Sequence, residues 1–100
     1  MAATNDKLDD TILRLSRNDT TLTTLDLAWN SMGDEGAGRL AEALTTNSTL
    51  TTLNLNSNQV GNEGAGRLAE VLATNSTLAI LNLAWNQMGV AGAGWLAGAL

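Results

Sequence analysis

Apolar and polar residues follow two rhythms along this chain, and the pair of rhythms returns every 28 residues. The first has period two. In Leu25-Asp26-Leu27, Leu53-Asn54-Leu55 and Leu81-Asn82-Leu83, leucines flank one polar residue, so in an extended segment the leucines share one face and the polar residue takes the other. Each triplet is expected as a short strand with its leucines toward a core. The second rhythm has the three- and four-residue steps of a helix: Ala37, Leu40, Ala41 and Leu44 fall on one stripe. Asp34 or Gly33 is placed to cap the start of that helix, and Asn47 stands where it should stop.

The recurrence is close to literal. Thr21-Leu22-Thr23-Thr24-Leu25 returns as Thr49-Leu50-Thr51-Thr52-Leu53 and as Thr77-Leu78-Ala79-Ile80-Leu81. Gly36-Ala37-Gly38-Arg39-Leu40-Ala41 returns as Gly64-Ala65-Gly66-Arg67-Leu68-Ala69 and, varied, as Gly92-Ala93-Gly94-Trp95-Leu96-Ala97. The chain therefore divides into full units over 21–48 and 49–76 and a terminal unit over 77–100, all within one domain. Residues 1–20 carry no strand signature, yet Leu8, Ile12 and Leu15 recur at helical steps behind Asn5, a candidate N-cap. Ile12 lies one period before Leu40, so this segment reads as an N-terminal helical cap or half repeat.

The spacing Leu-x-x-Leu-x-Leu-x-x-Asn, met from Leu22 to Asn30 and twice more in register, resembles the leucine-rich repeat family. The 28-residue length, with Met32-Gly33-Asp34-Glu35-Gly36 following, resembles its ribonuclease-inhibitor-like subfamily, the type found in NOD-like receptors and in the activator of the Ran GTPase. The resemblance covers residues 21–100. It implies an α/β solenoid, a short right-handed horseshoe segment with parallel strands on the concave side and helices on the convex side. Leu22, Leu25 and Leu27 with their copies would form layers between strands and helices, joined by Met32, Val60 and Met88. The resemblance also implies a ladder in which Asn30, Asn58 and Asn86 bond backbone groups of the adjacent turn.

Composition narrows the function. Five Lys plus Arg against ten Asp plus Glu leave a net charge of −5, which argues against nucleic acid as a partner because phosphate binding needs clustered cations. The chain has no His and no Cys, which removes the commonest general base, the thiol nucleophile and the usual soft-metal ligands. An enzyme is not expected, nor a cofactor. The start lacks the charged and apolar regions of a secretory signal, so the expected setting is cytoplasmic. The longest apolar run, Met88 to Leu100, falls short of the roughly 20 residues of a membrane span.

The first candidate site is the outward set on the strands: Thr24, Asp26, Ala28 and Trp29, then Thr52, Asn54, Asn56 and Ser57, then Ile80, Asn82, Ala84 and Trp85. With strands about 4.8 Å apart, Trp29 and Trp85 would stand about 10 Å apart on either side of Ser57. Exposed tryptophans are enriched at binding hot spots, and the partner expected is a protein or peptide. The alternative is structural: each indole folds over the loop and covers Met32 or Met88.

The second candidate is the C-terminal helix, whose solvent face turns apolar as Val90, Ala91, Trp95 and Gly98 replace Asp34, Glu35, Arg39 and Glu42, with Val90, Ala91, Trp95 and Leu100 the candidate self-association residues. Three readings stand side by side, namely a homodimer, a continuation of the array, and an uncharged alanine-rich cap. Gly92-Ala93-Gly94-Trp95-Leu96-Ala97 fits a dinucleotide-binding pattern on its face, but its phase is that of the repeat. Asn18, Asn47 and Asn75 begin glycosylation-type triplets and sit in turns that favour Asn for their own reasons. Arg39 and Arg67 are expected to stack on the convex side near Glu42 and Glu70.

Overall fold

The structure, a computed structural model, describes residues 3–90 and 92–94, with side chains from Lys7 onward. Helix α1 (Ala3–Ser16) leads into strand β1 (Thr24–Asp26), helix α2 (Gly33–Leu44), strand β2 (Thr52–Asn54), helix α3 (Asn62–Leu72) and strand β3 (Ile80–Asn82). A further helical stretch includes Val90 and residues 92–94. The strands form one parallel sheet in the order β1-β2-β3, with Leu25, Leu53 and Leu81 in register. Helices α2 and α3 are the crossovers that bring each next strand back parallel to the last, and α1, α2 and α3 pack side by side on the other face. Strands and helices stand where the two rhythms place them, in the α/β arrangement that the resemblance implies.

Asn5 does not cap α1, because the helix is already formed at Ala3 and Asn5 lies inside it. Apolar spacing fixes which residues face inward and leaves the helix start open by a residue or two.

The core follows the leucines. Leu22, Leu25 and Leu27 of the first unit and Leu50, Leu53 and Leu55 of the second are buried, the last three completely, against Leu40, Leu44 and Leu68 of the helices. Leu8 and Leu15 seal the N-terminal side from α1. In the third unit Leu78, Leu81 and Leu83 are only half-buried, since no further described unit lies over them. Glycine in the first turns of α2 and α3 lets successive helices approach: a Cβ on Gly64 would stand 2.7 Å from Asp34 Oδ1 and 3.1 Å from Ala37 Cβ.

Polar groups stitch the units together in three ladders. In the first, Asn58 Oδ1 accepts from the N–H groups of Asn30 (2.9 Å) and Met32 (3.4 Å), while its Nδ2 donates to Leu27 O at 2.8 Å. Asn86 repeats the pattern one unit on, accepting from Asn58 and Val60 N–H and donating to Leu55 O. A carboxamide is required because it must donate and accept at once.

The second ladder lies at the opposite end of the strands. Asn47 is buried, donates to Leu15 O at 3.1 Å and accepts from the N–H groups of Thr49 and Leu50. Asn75 donates to Leu44 O and Asn47 O and accepts from Thr77 and Leu78 N–H. Asn47 therefore does more than mark where α2 stops, and both amide nitrogens are engaged inside the fold. Asp19 holds the same phase in the N-terminal segment, taking the Thr21 hydroxyl at 2.6 Å, the Thr21 N–H at 3.0 Å and Arg14 Nε at 3.0 Å.

The third ladder corrects the expected cap. Helix α2 follows Met32 with no side-chain cap, and Asp34 reaches instead to the start of the next helix, where its Oδ1 accepts from Gly61 N–H (2.7 Å) and Gly64 N–H (2.9 Å). Asn62, one period later, does the same for Gly89 and Gly92 N–H. The unpaired N–H groups of a helix start attract an oxygen from any direction, and here the preceding helix supplies it. The arginine contact also runs between units: Arg39 pairs with Asp9 of α1 rather than within its own helix, and the stem of Arg67 lies over Gly38.

Three outcomes are expected from these contacts. Asn58→Ala should lose about 2 to 4 kcal/mol in urea unfolding, because each buried group left unsatisfied costs about 1 to 3 kcal/mol. Asn30→Ala should lose less, since Asn30 donates only to its own turn at Leu27 O and Ala28 O. Asp34→Ala should cost about 0.5 to 2 kcal/mol, as a lost cap does, whereas Asp34→Asn should be near neutral, because Asn62 already makes the same pair of bonds with an amide oxygen. Finally, hydrogen bonds from the Thr21 hydroxyl and N–H, then Arg14, lower the Asp19 carboxyl from 3.8 to about 2. Its stabilising contribution is then complete above about pH 4 and is lost as pH falls through about 2. A carboxyl NMR titration should show that midpoint, and Thr21→Val should move it upward.

Candidate functional site

The outward residues of β1, β2 and β3 form one face. Thr24, Thr52 and Ile80 share a row, as do Asp26, Asn54 and Asn82. The row of acids and amides also serves the local backbone, for Oδ1 of Asp26, Asn54 and Asn82 accepts the N–H of Ala28, Asn56 and Ala84 at 2.9 to 3.0 Å. Each such bond closes a turn at the end of its strand. One side-chain heteroatom in each is thereby committed to the fold, leaving the other for a ligand. Ile80, 59% exposed, is a large apolar side chain on the outer strand of this face.

Parallel pairing continues past the strands. Trp29 N–H donates to Asn56 O and Ser57 N–H to Ala84 O, both at 3.0 Å, so Trp29, Ser57 and Trp85 are held at the same level in successive units. All three have a left-handed backbone, with φ of 62°, 58° and 58°. The turn imposes this: the following asparagine folds back onto the strand-end carbonyls, Asn30 onto Leu27 O and Ala28 O, Asn86 onto Leu83 O and Ala84 O. A left-handed residue with a Cβ costs roughly 1 to 2 kcal/mol, so neither tryptophan is there for backbone preference.

Nor are they there for packing. Trp29 is 78% exposed and Trp85 84% exposed, which leaves little indole surface to cover Met32 or Met88. Together they flank a shallow groove of about 580 Å³, lined also by Ser31, Asn56, Ser57, Gln59 and Gln87. Ser57 Oγ donates to Asn56 Oδ1 at 3.0 Å on its floor. Strand spacing alone places Trp29, Ser57 and Trp85 here but does not bring in Ser31, Gln59 and Gln87. The signal that could have found them is their phase, one polar residue directly after each ladder asparagine.

The charge on this face is simple. Asp26 is the one ionisable side chain among the outward residues of the three strands, and the groove lining has none. Ser57 has no base beside it. Among the described residues no group of three or more His, Cys, Asp or Glu side chains could hold a metal ion. The arrangement suits surface recognition by stacking and hydrogen bonding.

The second candidate surface is described only in part. Val90 is 92% exposed, while Ala91, Trp95 and Leu100 lie outside the described residues. Val90 is the periodic counterpart of Asp34 and Asn62, so the helix-capping ladder has no oxygen at that position.

The fold has counterparts among solved structures. The tropomodulin C-terminal domain from Caenorhabditis elegans is similar with a TM-score of 0.82 at 22% identity, over 92% of this chain and 56% of that one. Actin-binding site 2 of leiomodin-1 is similar with a TM-score of 0.87 at 25% identity, over 92% of this chain and 54% of that one. The chain thus spans about half the length of either. No curated protein matches it in sequence. The family model for a leucine-rich repeat matches three times, at residues 18–41, 46–69 and 74–97. Three consecutive matches over most of the chain, on a sheet and ladders that recur at the same period, show that the chain belongs to the leucine-rich repeat family.

Proposed function

We propose that this chain is a non-catalytic protein-recognition module that binds a protein or peptide segment on its concave face, across Trp29, Ser57 and Trp85. The observation that carries the reading is the pair of indoles held in solvent on left-handed backbone, where the fold gains nothing from them. Thr24, Asp26, Thr52, Asn54, Ile80 and Asn82 extend the same face and would contribute hydrogen bonds and one apolar contact. Leiomodin-1 supplies a parallel, since a domain of this shape is there an actin-binding site. That supports a protein as the class of partner. The 28-residue period with full helices on the convex side supports a ribonuclease-inhibitor-like array. A scaffold acting in the cytoplasm fits an acidic, cysteine-free chain in which, among the described residues, no helix is long and apolar enough to cross a membrane.

A second reading rests on Val90. Exposed at the position where earlier units carry a capping oxygen, it supports self-association as a homodimer through the C-terminal end. Sedimentation equilibrium separates the readings: a concentration-dependent dimer abolished by Val90→Asp favours the second, and a monomer throughout removes it.

The primary test is selection of a displayed random-peptide library on the wild-type chain and on Trp29→Ser/Trp85→Ser. Families of peptides enriched on the wild type alone, with the variant still folded by circular dichroism, are the expected result. Equal enrichment on both chains, or none on either, overturns the concave reading.

A further inference from the structure

The groove between the tryptophans is chemically more particular than a generic binding face. Accepting the concave face as the recognition surface, we propose that the notch between Trp29 and Trp85 takes the guanidinium of an arginine from a basic peptide segment.

Spacing comes first. Trp29 and Trp85 stand on the outer two of three in-register units, about 10 Å apart at the backbone by strand spacing. Tryptophans on adjacent units, about 5 Å apart, would stack on each other. With Ser57 between them they leave room for one inserted layer, because carbon surfaces in contact lie about 3.5 to 4 Å apart and two such contacts need about 7 to 8 Å. The backbone bonds from Trp29 N–H to Asn56 O and from Ser57 N–H to Ala84 O fix that level in all three units. By strand spacing, the gap between these two units admits one flat group.

The second argument is what borders the layer. Asn56, Ser57 and Gln59 supply amide and hydroxyl groups along the groove. An inserted aliphatic or phenyl side chain would cover the indoles and leave those groups facing an apolar edge. A guanidinium presents two flat faces for the indoles and five N–H donors around its rim for the oxygens. Cations are also drawn to the electron-rich face of an aromatic ring, most strongly to tryptophan.

Charge agrees. The chain carries −5 overall, the concave strands hold no Lys or Arg, and their one ionisable side chain is the Asp26 carboxylate. Asp26 precedes Trp29 on the same unit, with one oxygen committed to Ala28 N–H and the other unassigned to any contact within the fold. It is placed to attract a neighbouring cation on the same peptide. A peptide rich in arginine is the chemistry that meets two indoles, a polar rim and a lone carboxylate together.

The experiment follows from the library selection. Peptides retained by the wild-type chain are sequenced, and the strongest binder is resynthesised with citrulline at each arginine, which keeps the planar shape and removes the charge. We expect arginine to be enriched and one citrulline replacement to weaken binding about tenfold, the scale of a well-formed cation–aromatic contact. Asp26→Asn should weaken the arginine peptide several-fold and leave its citrulline counterpart unchanged, and raising sodium chloride should reduce the difference. Selected peptides that bind through Trp29 and Trp85 but carry aromatic, proline or aliphatic residues, or that tolerate citrulline, overturn the arginine assignment while leaving concave recognition in place. Failure to enrich any tryptophan-dependent peptide overturns both.

Discussion

Everything in this molecule depends on one buried amide that bonds in two directions. Asn58 accepts from the N–H groups of the turn before it and donates to the end of the preceding strand. Because three of its four bonds reach the preceding unit, with only Asn56 O in its own, that earlier turn is not satisfied from within its own unit. The 28-residue period is then a physical requirement, since a shift of one residue would aim every carboxamide at the wrong backbone groups. The second ladder through Asn47 and Asn75 and the helix-capping ladder through Asp34 and Asn62 obey the same rule at two other places in the unit. Leucines supply the attraction between units, and the amides decide the register in which it acts.

The same turns create the face proposed for recognition. To fold its carboxamide back on the strand end, each unit places the preceding residue in the left-handed region, and at two of the three positions, Trp29 and Trp85, that residue is exposed. Glycine or asparagine would meet the geometry at lower cost. Tryptophan at two of the three positions, with serine between, is a choice the fold does not ask for. For the proposed recognition, a rigid ladder below the indoles would present a preformed surface and so limit the entropy lost on binding.

Most of the architecture is legible in the sequence, because period-two and helical patterns report burial directly. Leu25, Leu53 and Leu40 are identifiable as core from spacing, and Asn58 as a ladder residue from the resemblance. Other features are hidden for definable reasons. Local sequence assigns Asp34 to its own helix because it shows only neighbours along the chain, whereas the partners of Asp34 are 27 and 30 residues away. On the same ground it assigns Arg39 to nearby glutamates, and Arg39 meets Asp9 instead. Whether Trp29 points into solvent or over Met32 is not written in its neighbours, since that depends on a backbone twist imposed by Asn30 and by the next unit.

The central claim is that Trp29 and Trp85 are held outside the fold at a cost in stability. Urea unfolding of the Trp29→Gly/Trp85→Gly variant measures it most directly. Relief of two left-handed side-chain positions, with little burial to lose, should leave stability unchanged or raise it by about 1 to 2 kcal/mol. A loss of several kcal/mol would show that the indoles hold the array together and would contradict the account.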